Sequence, residues 1–295
     1  MKRWTAELTN LQFALLLAVP VLLFLVLVVA YPLGYAVWMS LHRIGFFGGY
    51  RATFVGLENY RAVLLSPDFW DAMLVTVLFT VKSVVLTVAI GLGLALALVR
   101  SFPFRDLVRA IVILPWSVSL YGTGIIFLNA SQGQTGLASA LSYAFGFDRP
   151  VNFINEAWVI EVLAVANAWN LAPLVAVFLI ANISTIPRRL YDLASIDRLS
   201  ALERFLYVTL PPIRFTLFVF TTIATVLSMK LLDLIFVLSR GGPGTSSTTL
   251  TFLIYKESFQ NLDLGYGAAM SFYLLAAILG STFLLYFVWG RREVA

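Results

Sequence analysis

Six stretches of this chain are each long and apolar enough to cross a lipid bilayer, which limits the fold more than any motif does. A spanning helix needs about 20 mostly apolar residues at about 1.5 Å rise each. The stretches run near 11–41, 69–99, 107–128, 157–183, 211–238 and 266–289. They are continuous rather than alternating with the period of two that a barrel strand requires, so helices are the spanning element and the expected class is an all-α, polytopic membrane protein with six transmembrane helices. Hydrophobic residues make up 60% of the 295, well above the composition of soluble domains. The first stretch follows Lys2 and Arg3 as a secretory signal would. It is too long for a signal and runs on through Tyr31, Pro32 and Trp38, so an uncleaved first span is expected.

The chain has no cysteine, and His42 is its one histidine. Disulfides, thiol chemistry, haem ligation and most zinc sites are therefore excluded by inventory, and no metal or cofactor is expected in this chain. The net charge of +5 is spread over short polar stretches between apolar ones, a pattern of membrane topology rather than of nucleic-acid binding. An even number of spans puts both termini on one side. With the termini inside, Lys2, Arg3, Arg100, Arg105, Arg109, Arg188, Arg189, Arg198, Arg204, Arg291 and Arg292 face the cytoplasm, against Arg43, Arg51, Arg61, Arg149, Arg240 and Lys256 outside. Eleven against six favours cytoplasmic termini. Trp4, Trp38, Trp70 and Trp289 fall where span ends place an aromatic belt.

Three outer loops, near 43–68, 129–156 and 239–263, are long enough for short surface helices that meet an external protein. Gly241-Gly242-Pro243-Gly244 after the fifth span is a turn, because glycine permits positive φ and proline stops a helix. It lacks the lysine of a phosphate-binding loop, and no Walker motif occurs anywhere in the chain. Neither repeats nor a separate soluble domain are evident, and residues 1–295 read as a single transmembrane domain.

The most informative segment is the loop between spans four and five, Ile186 to Pro212. Pro187 suits a first helical turn, and Leu190, Leu193, Ala194, Leu199, Leu202 and Phe205 recur at helical spacing. The polar face mixes Arg188, Arg189, Arg198 and Arg204 with Asp192, Asp197 and Glu203, whereas a helix lying on anionic lipid is more uniformly basic. A docking surface for another protein is the favoured reading. Here the chain resembles the permease subunits of binding-protein-dependent ABC importers, the type I family that includes the maltose and glycerol-3-phosphate systems. Their hallmark reads roughly I-P-x-x-L-Y-E-A-A-x-x-D-G-A, then F, then I-x-L-P. Ile186, Pro187, Leu190, Tyr191, Ala194, Asp197, Phe205, Leu210 and Pro211 match it, and Asp192 stands where the family has Glu. Leu193 replaces one alanine, and Arg198 replaces the glycine of the turn between two short helices. If that turn needs a left-handed residue, arginine costs on the order of 1 kcal/mol there. Leu114-Pro115-Trp116, Asn167-Ala168-Trp169 with Pro173, Gly241-Gly242-Pro243 and Leu264 to Ala268 resemble further landmarks of the carbohydrate permeases in the family's order, the Gly-Gly-Pro turn being typical of the subunit that contacts sugar.

The resemblance implies that Leu190, Tyr191, Asp192, Ala194, Ile196, Asp197 and Arg198 couple the chain to an ATPase. It also implies a substrate path along Asn167, Trp169, Asn170, Leu171 and Leu174 of span four and Leu227, Ser228 and Leu231 of span five. The implied partners are a second permease subunit of a different chain, two ATPase subunits that bind ATP and Mg, an external or periplasmic solute-binding protein, and membrane lipid, with the inner membrane as location. Amides and hydroxyls suit a neutral polyhydroxyl ligand, and the same groups equally suit interhelical hydrogen bonding. Lys230 and Asp233, three apart on one helical face, are expected to form a local ion pair, with ligand contact as the alternative. Lys82 has two candidate partners, Glu161 and a group on another subunit. Two other classes compete. An ion-driven secondary transporter calls for internal repeats and mid-membrane carboxylates, and a membrane enzyme for paired catalytic groups.

Overall fold

The computed structural model describes residues 9–45, 49–131, 136–144, 146 and 152–290. Lys2, Arg3, Arg149, Arg291 and Arg292, counted above for topology, and Trp4 of the expected aromatic belt lie outside the described residues. The chain forms two compact units, one running through Leu65 and including Tyr255–Met270, the other Ser66–Ile254 and the residues from Ser271 onward.

In the first unit, α1 (Asn10–Leu25), a π-helical turn (Val26–Ala30) and α2 (Tyr31–Ser40) form the first span. The widened turn has a local cause in Pro32, which lacks an N–H and whose ring crowds the carbonyl four residues back. A hairpin follows, β1 (His42–Gly45) antiparallel to β2 (Arg51–Phe54), with His42 opposite Phe54 and Gly45 opposite Arg51. Expecting only helices misses this hairpin. α3 (Glu58–Leu65) closes onto it, the buried Asn59 donating its amide to Ser40 O at 2.9 Å and His42 O at 3.1 Å. His42 stacks on Trp38 with ring centroids 4.2 Å apart, and its Nδ1 lies 2.6 Å from Trp38 O.

The second unit is built on α4 (Pro67–Leu98), α5 (Arg105–Ser117), α6 (Leu120–Ser131), α7 (Leu137–Ala144), α8 (Val159–Ile183), α9 (Arg188–Ile196), α10 (Ala201–Arg204), α11 (Leu210–Met229), α12 (Asp233–Leu238) and α13 (Leu250–Tyr255). α14 (Leu264–Leu285) and a terminal π turn (Tyr286–Gly290) make the last span. α4 and α8 pack so closely that a Cβ on Gly91 would lie 2.7 Å from Val175 Cβ and 3.0 Å from Ala172 O. Small residues let helices approach in this way, and α8 supplies a buried series of them at Ala164, Ala166, Ala168, Ala172 and Ala176. Two apolar clusters flank the middle of α8. One joins Leu163 and Ala166 to Leu234 and Ile235 of α12, and the other joins Val175 and Leu179 to Ile213 and Leu217 of α11.

Two spans differ from the sequence reading. The third bends by 97° between α5 and α6, because Pro115 and the serines around Val118 end the first segment while the composition stays apolar. The fifth begins earlier, at Ala201, passes a π turn (Phe205–Thr209) ahead of Pro211, and ends at Met229, leaving α12 as a separate segment. Among the described residues, by length and composition, five continuous helices can cross a membrane, and six if the bent pair is one span.

Candidate functional site

The breaks in spans three and five open a cavity of about 390 Å³ lined by Trp116 and Leu120 from the bend, Asn167, Asn170 and Leu171 from α8, and Leu227, Lys230, Leu231, Leu232 and Asp233 from the end of α11 and the start of α12. Five of the eight residues expected along a substrate path line this cavity: Asn167, Asn170, Leu171, Leu227 and Leu231. The other three do not. Ser228 is buried behind the wall, Trp169 packs edge-on against Phe127 with centroids 5.7 Å apart, and Leu174 sits against the apolar cluster around Ala224.

Asn170 explains how the bend is tolerated. Its amide nitrogen donates to Pro115 O at 2.9 Å, Val118 O at 2.9 Å and Thr123 Oγ1 at 3.3 Å. Where the helix stops, carbonyls lose their intrahelical donors, and inside a membrane a buried orphan is costly. Two of the three partners are carbonyls, which only accept, so the NH₂ must face the bend and Oδ1 points elsewhere. Asn167 spans three helices, donating to Ser83 Oγ at 2.5 Å and Ser228 Oγ at 3.0 Å. Both asparagines thus do interhelical bonding and line the cavity at once.

Lys230 and Asp233 do not form the expected ion pair. Lys230 caps the end of α11 and Asp233 opens α12, so the helix that would align them is interrupted. Both are exposed and face the cavity as separate charges. Lys82 pairs with Glu161 of α8, which answers within the chain where its partner lies. Opposite charges in contact satisfy one another where isolated ones are expensive. Trp116, Leu120 and Leu232 are lining residues that sequence reasoning missed as a site, although Trp116 belongs to a noted landmark.

On α9 the apolar residues point outward. Leu190, Leu193 and Ile196 are 43%, 45% and 75% exposed, while Ala194 is buried at 3%. The Tyr191 hydroxyl meets Thr209 Oγ1 at 3.1 Å, tying α9 to the base of span five. Arg198 has φ 54°, the left-handed conformation that glycine usually supplies. Leu199 N–H donates to Ala194 O at 3.0 Å and Arg198 N–H to Ser195 O at 3.2 Å, a complete Schellman cap with arginine in the glycine position. Two residues on, Ser200 and Glu203 exchange the reciprocal bonds of a capping box that starts α10. After Met229, the Gly241 turn is pinned by Thr248 Oγ1 donating to Gly241 O at 2.8 Å. Gly241 has φ 81°, and a Cβ there would come 2.6 Å from the Phe252 ring.

Residues 89–291 match the family described as binding-protein-dependent transport system inner membrane component. The chain is 31% identical over 276 residues to the sulfoquinovosyl glycerol transport system permease protein SmoG of Agrobacterium fabrum, covering 93% of this chain and 90% of that one. It is 32% identical over 278 residues to the trehalose/maltose transport system permease protein MalF of Thermococcus litoralis, covering 94% and 92%. A crystal structure of a bacterial alginate ABC transporter, in complex with an alginate pentasaccharide-bound periplasmic protein, contains a chain of the same fold, with TM-score 0.80 at 20% identity and 96% coverage of both. The chain is a multi-pass membrane protein and belongs to the inner membrane components of binding-protein-dependent transport systems, the permeases of type I ABC importers.

Proposed function

We propose that this permease forms half of the path by which a sugar or related polyol is imported, beside a second permease subunit and below an external solute-binding protein, with two cytoplasmic ATPases binding ATP and Mg. What carries the proposal is the cavity. It joins two asparagines, a tryptophan and two charges of opposite sign, unpaired among the described residues, at the place where spans three and five are broken. The amide oxygens and the Asp233 carboxylate are acceptors for hydroxyls and Lys230 is a donor to them, an indole offers an apolar face to a sugar ring, and Lys230 and Asp233 together add no net charge. The relatives named for trehalose, maltose and sulfoquinovosyl glycerol support this class of cargo.

Force enters through α9. Its exposed Leu190, Leu193 and Ile196 are flanked by Asp192, Asp197 and Arg198, an apolar row with a charged rim suited to a cleft on another protein. ATP-driven closure of the ATPases moves the segment 187–204, and rigid-body rocking of the spans turns the cavity from outward to inward facing. The basic residues beside α9 support a cytoplasmic placement, with both termini on that side.

Because the chain has no cysteine, single substitutions give a clean test. Ile196→Cys is expected to react with an impermeant maleimide from the cytoplasmic side alone and to crosslink to a nucleotide-hydrolysing subunit. Asn167→Leu or Asp233→Leu is expected to abolish uptake while ATP hydrolysis continues. Labelling of Ile196→Cys from outside, or unchanged uptake in the cavity variants, would remove the proposal.

A further inference from the structure

A second cavity, of about 320 Å³, lies where three spans end: α4 at Leu96, Val99 and Arg100, α8 at Ile183, and span five at its start, from Ala201 to Thr209. It is separate from the proposed cargo path, sharing no lining residue with it. Arg100 and Arg204 both line it, and among the described residues no carboxylate does. The Arg204 guanidinium donates through Nη2 to Leu199 O at 3.4 Å, but its Nε–H is buried with no partner among the described residues. A buried donor left unmade costs free energy until an acceptor arrives. Beside it, the Tyr191 and Thr209 hydroxyls bond to each other at 3.1 Å. One hydrogen satisfies that contact, which leaves the other free to donate into the cavity.

We infer that this cavity binds a phosphate group, and that its source is the phosphodiester of an anionic membrane lipid. The chemistry of the donors argues for phosphate: an arginine fork with a vacant Nε–H, a second arginine and a hydroxyl present several donors and positive charge, with no carboxylate among the described lining residues to answer them. The remaining walls argue for lipid. Leu96, Val99, Ile183 and Phe205 are apolar, and the ends of three spans set the cavity at the depth where headgroups meet the acyl region. The cargo of the transporter plays no part in this chemistry.

The test is native mass spectrometry of the full chain, purified with its partner subunits, after incubation with equimolar phosphatidylglycerol and phosphatidylcholine. Wild type is expected to retain phosphatidylglycerol preferentially, and R100Q/R204Q to lose that preference by about tenfold, the equivalent of one charge-assisted bond. R100Q alone, at an exposed helix end where folding is not at risk, is expected to lose part of it. Equal retention by wild type and both variants would overturn the site. If inorganic phosphate raises the melting temperature of wild type as much as phosphatidylglycerol does, the ligand is a free anion and the lipid assignment is wrong. A photoreactive maleimide on A201C that labels a partner protein and no lipid would overturn it in favour of a subunit contact.

Discussion

α8 and α9 are joined by a four-residue connection and handle apolar side chains in opposite ways. α8 buries more than half of its residues against α4, α5, α6 and α11, with alanines where backbones approach and asparagines where carbonyls or hydroxyls need a partner. α9 buries Ala194 alone and leaves three large apolar side chains in the open. Burying a leucine is worth about 1.5–3 kcal/mol, so the second helix forgoes several kcal/mol that the first collects. In the function proposed above such a helix is completed by another protein; its rigidity comes from its ends: the Schellman cap at Arg198, the capping box at Ser200, and the tie from Tyr191 to Thr209. α8 is a scaffold, and α9 is the contact of the proposed function.

The contrast breaks first at α8. Gly91→Leu drives a side chain into Val175 and the Ala172 carbonyl. Since overpacking costs about 1–3 kcal/mol or more, the unfolding midpoint of the solubilised protein is expected to fall further than for a substitution at Asn170 or on α9. Asn170→Leu keeps the volume nearly constant but leaves Val118 O without its donor, a loss of about 1–3 kcal/mol. Urea titration of the two variants should rank them in that order, and a smaller effect for Gly91→Leu would mean that α4 and α8 slide apart freely. At Arg198 the sign reverses: Arg198→Gly relieves the left-handed strain and is expected to stabilise the segment by about 1 kcal/mol, seen as slower hydrogen exchange at the Leu199 amide.

How much of the molecule is legible in its sequence follows the same division. Long apolar runs are a composition signal, so the spans corresponding to α4, α8 and α14 are legible nearly to the residue. Breaks are not, because Leu114 to Leu120 and Leu231 to Ile235 remain largely apolar through the bend and a window average passes over them. The signals are there in kind: Pro115 with Ser117 and Ser119, and a lysine and an aspartate on either side of Leu231-Leu232. Reading Lys230 and Asp233 as a pair presumes a continuous helix. The hairpin escapes because each strand is four residues long and lies in a loop assigned to surface helices. Half of the cavity residues follow from family resemblance, while the bend that supplies Trp116 and Leu120 emerges only in three dimensions.

The smallest effect on stability sharpens the comparison most. Leu193→Ser removes an exposed methyl cluster from α9, and since exposed positions change stability by about 0.5 kcal/mol or less, the melting curve of the isolated chain should not move. If α9 is completed by an ATPase, the same substitution discards apolar contact area at the centre of that interface, and association is expected to weaken by about 1–3 kcal/mol, roughly five- to two-hundredfold in Kd. Leu190→Ser should act alike, one turn along the same face. Titrating ATPase onto the reconstituted variants separates the two kinds of helix. A loss of stability without a loss of affinity would make α9 an ordinary packed element, whereas a loss of affinity at constant stability leaves the exposed leucines no role but contact.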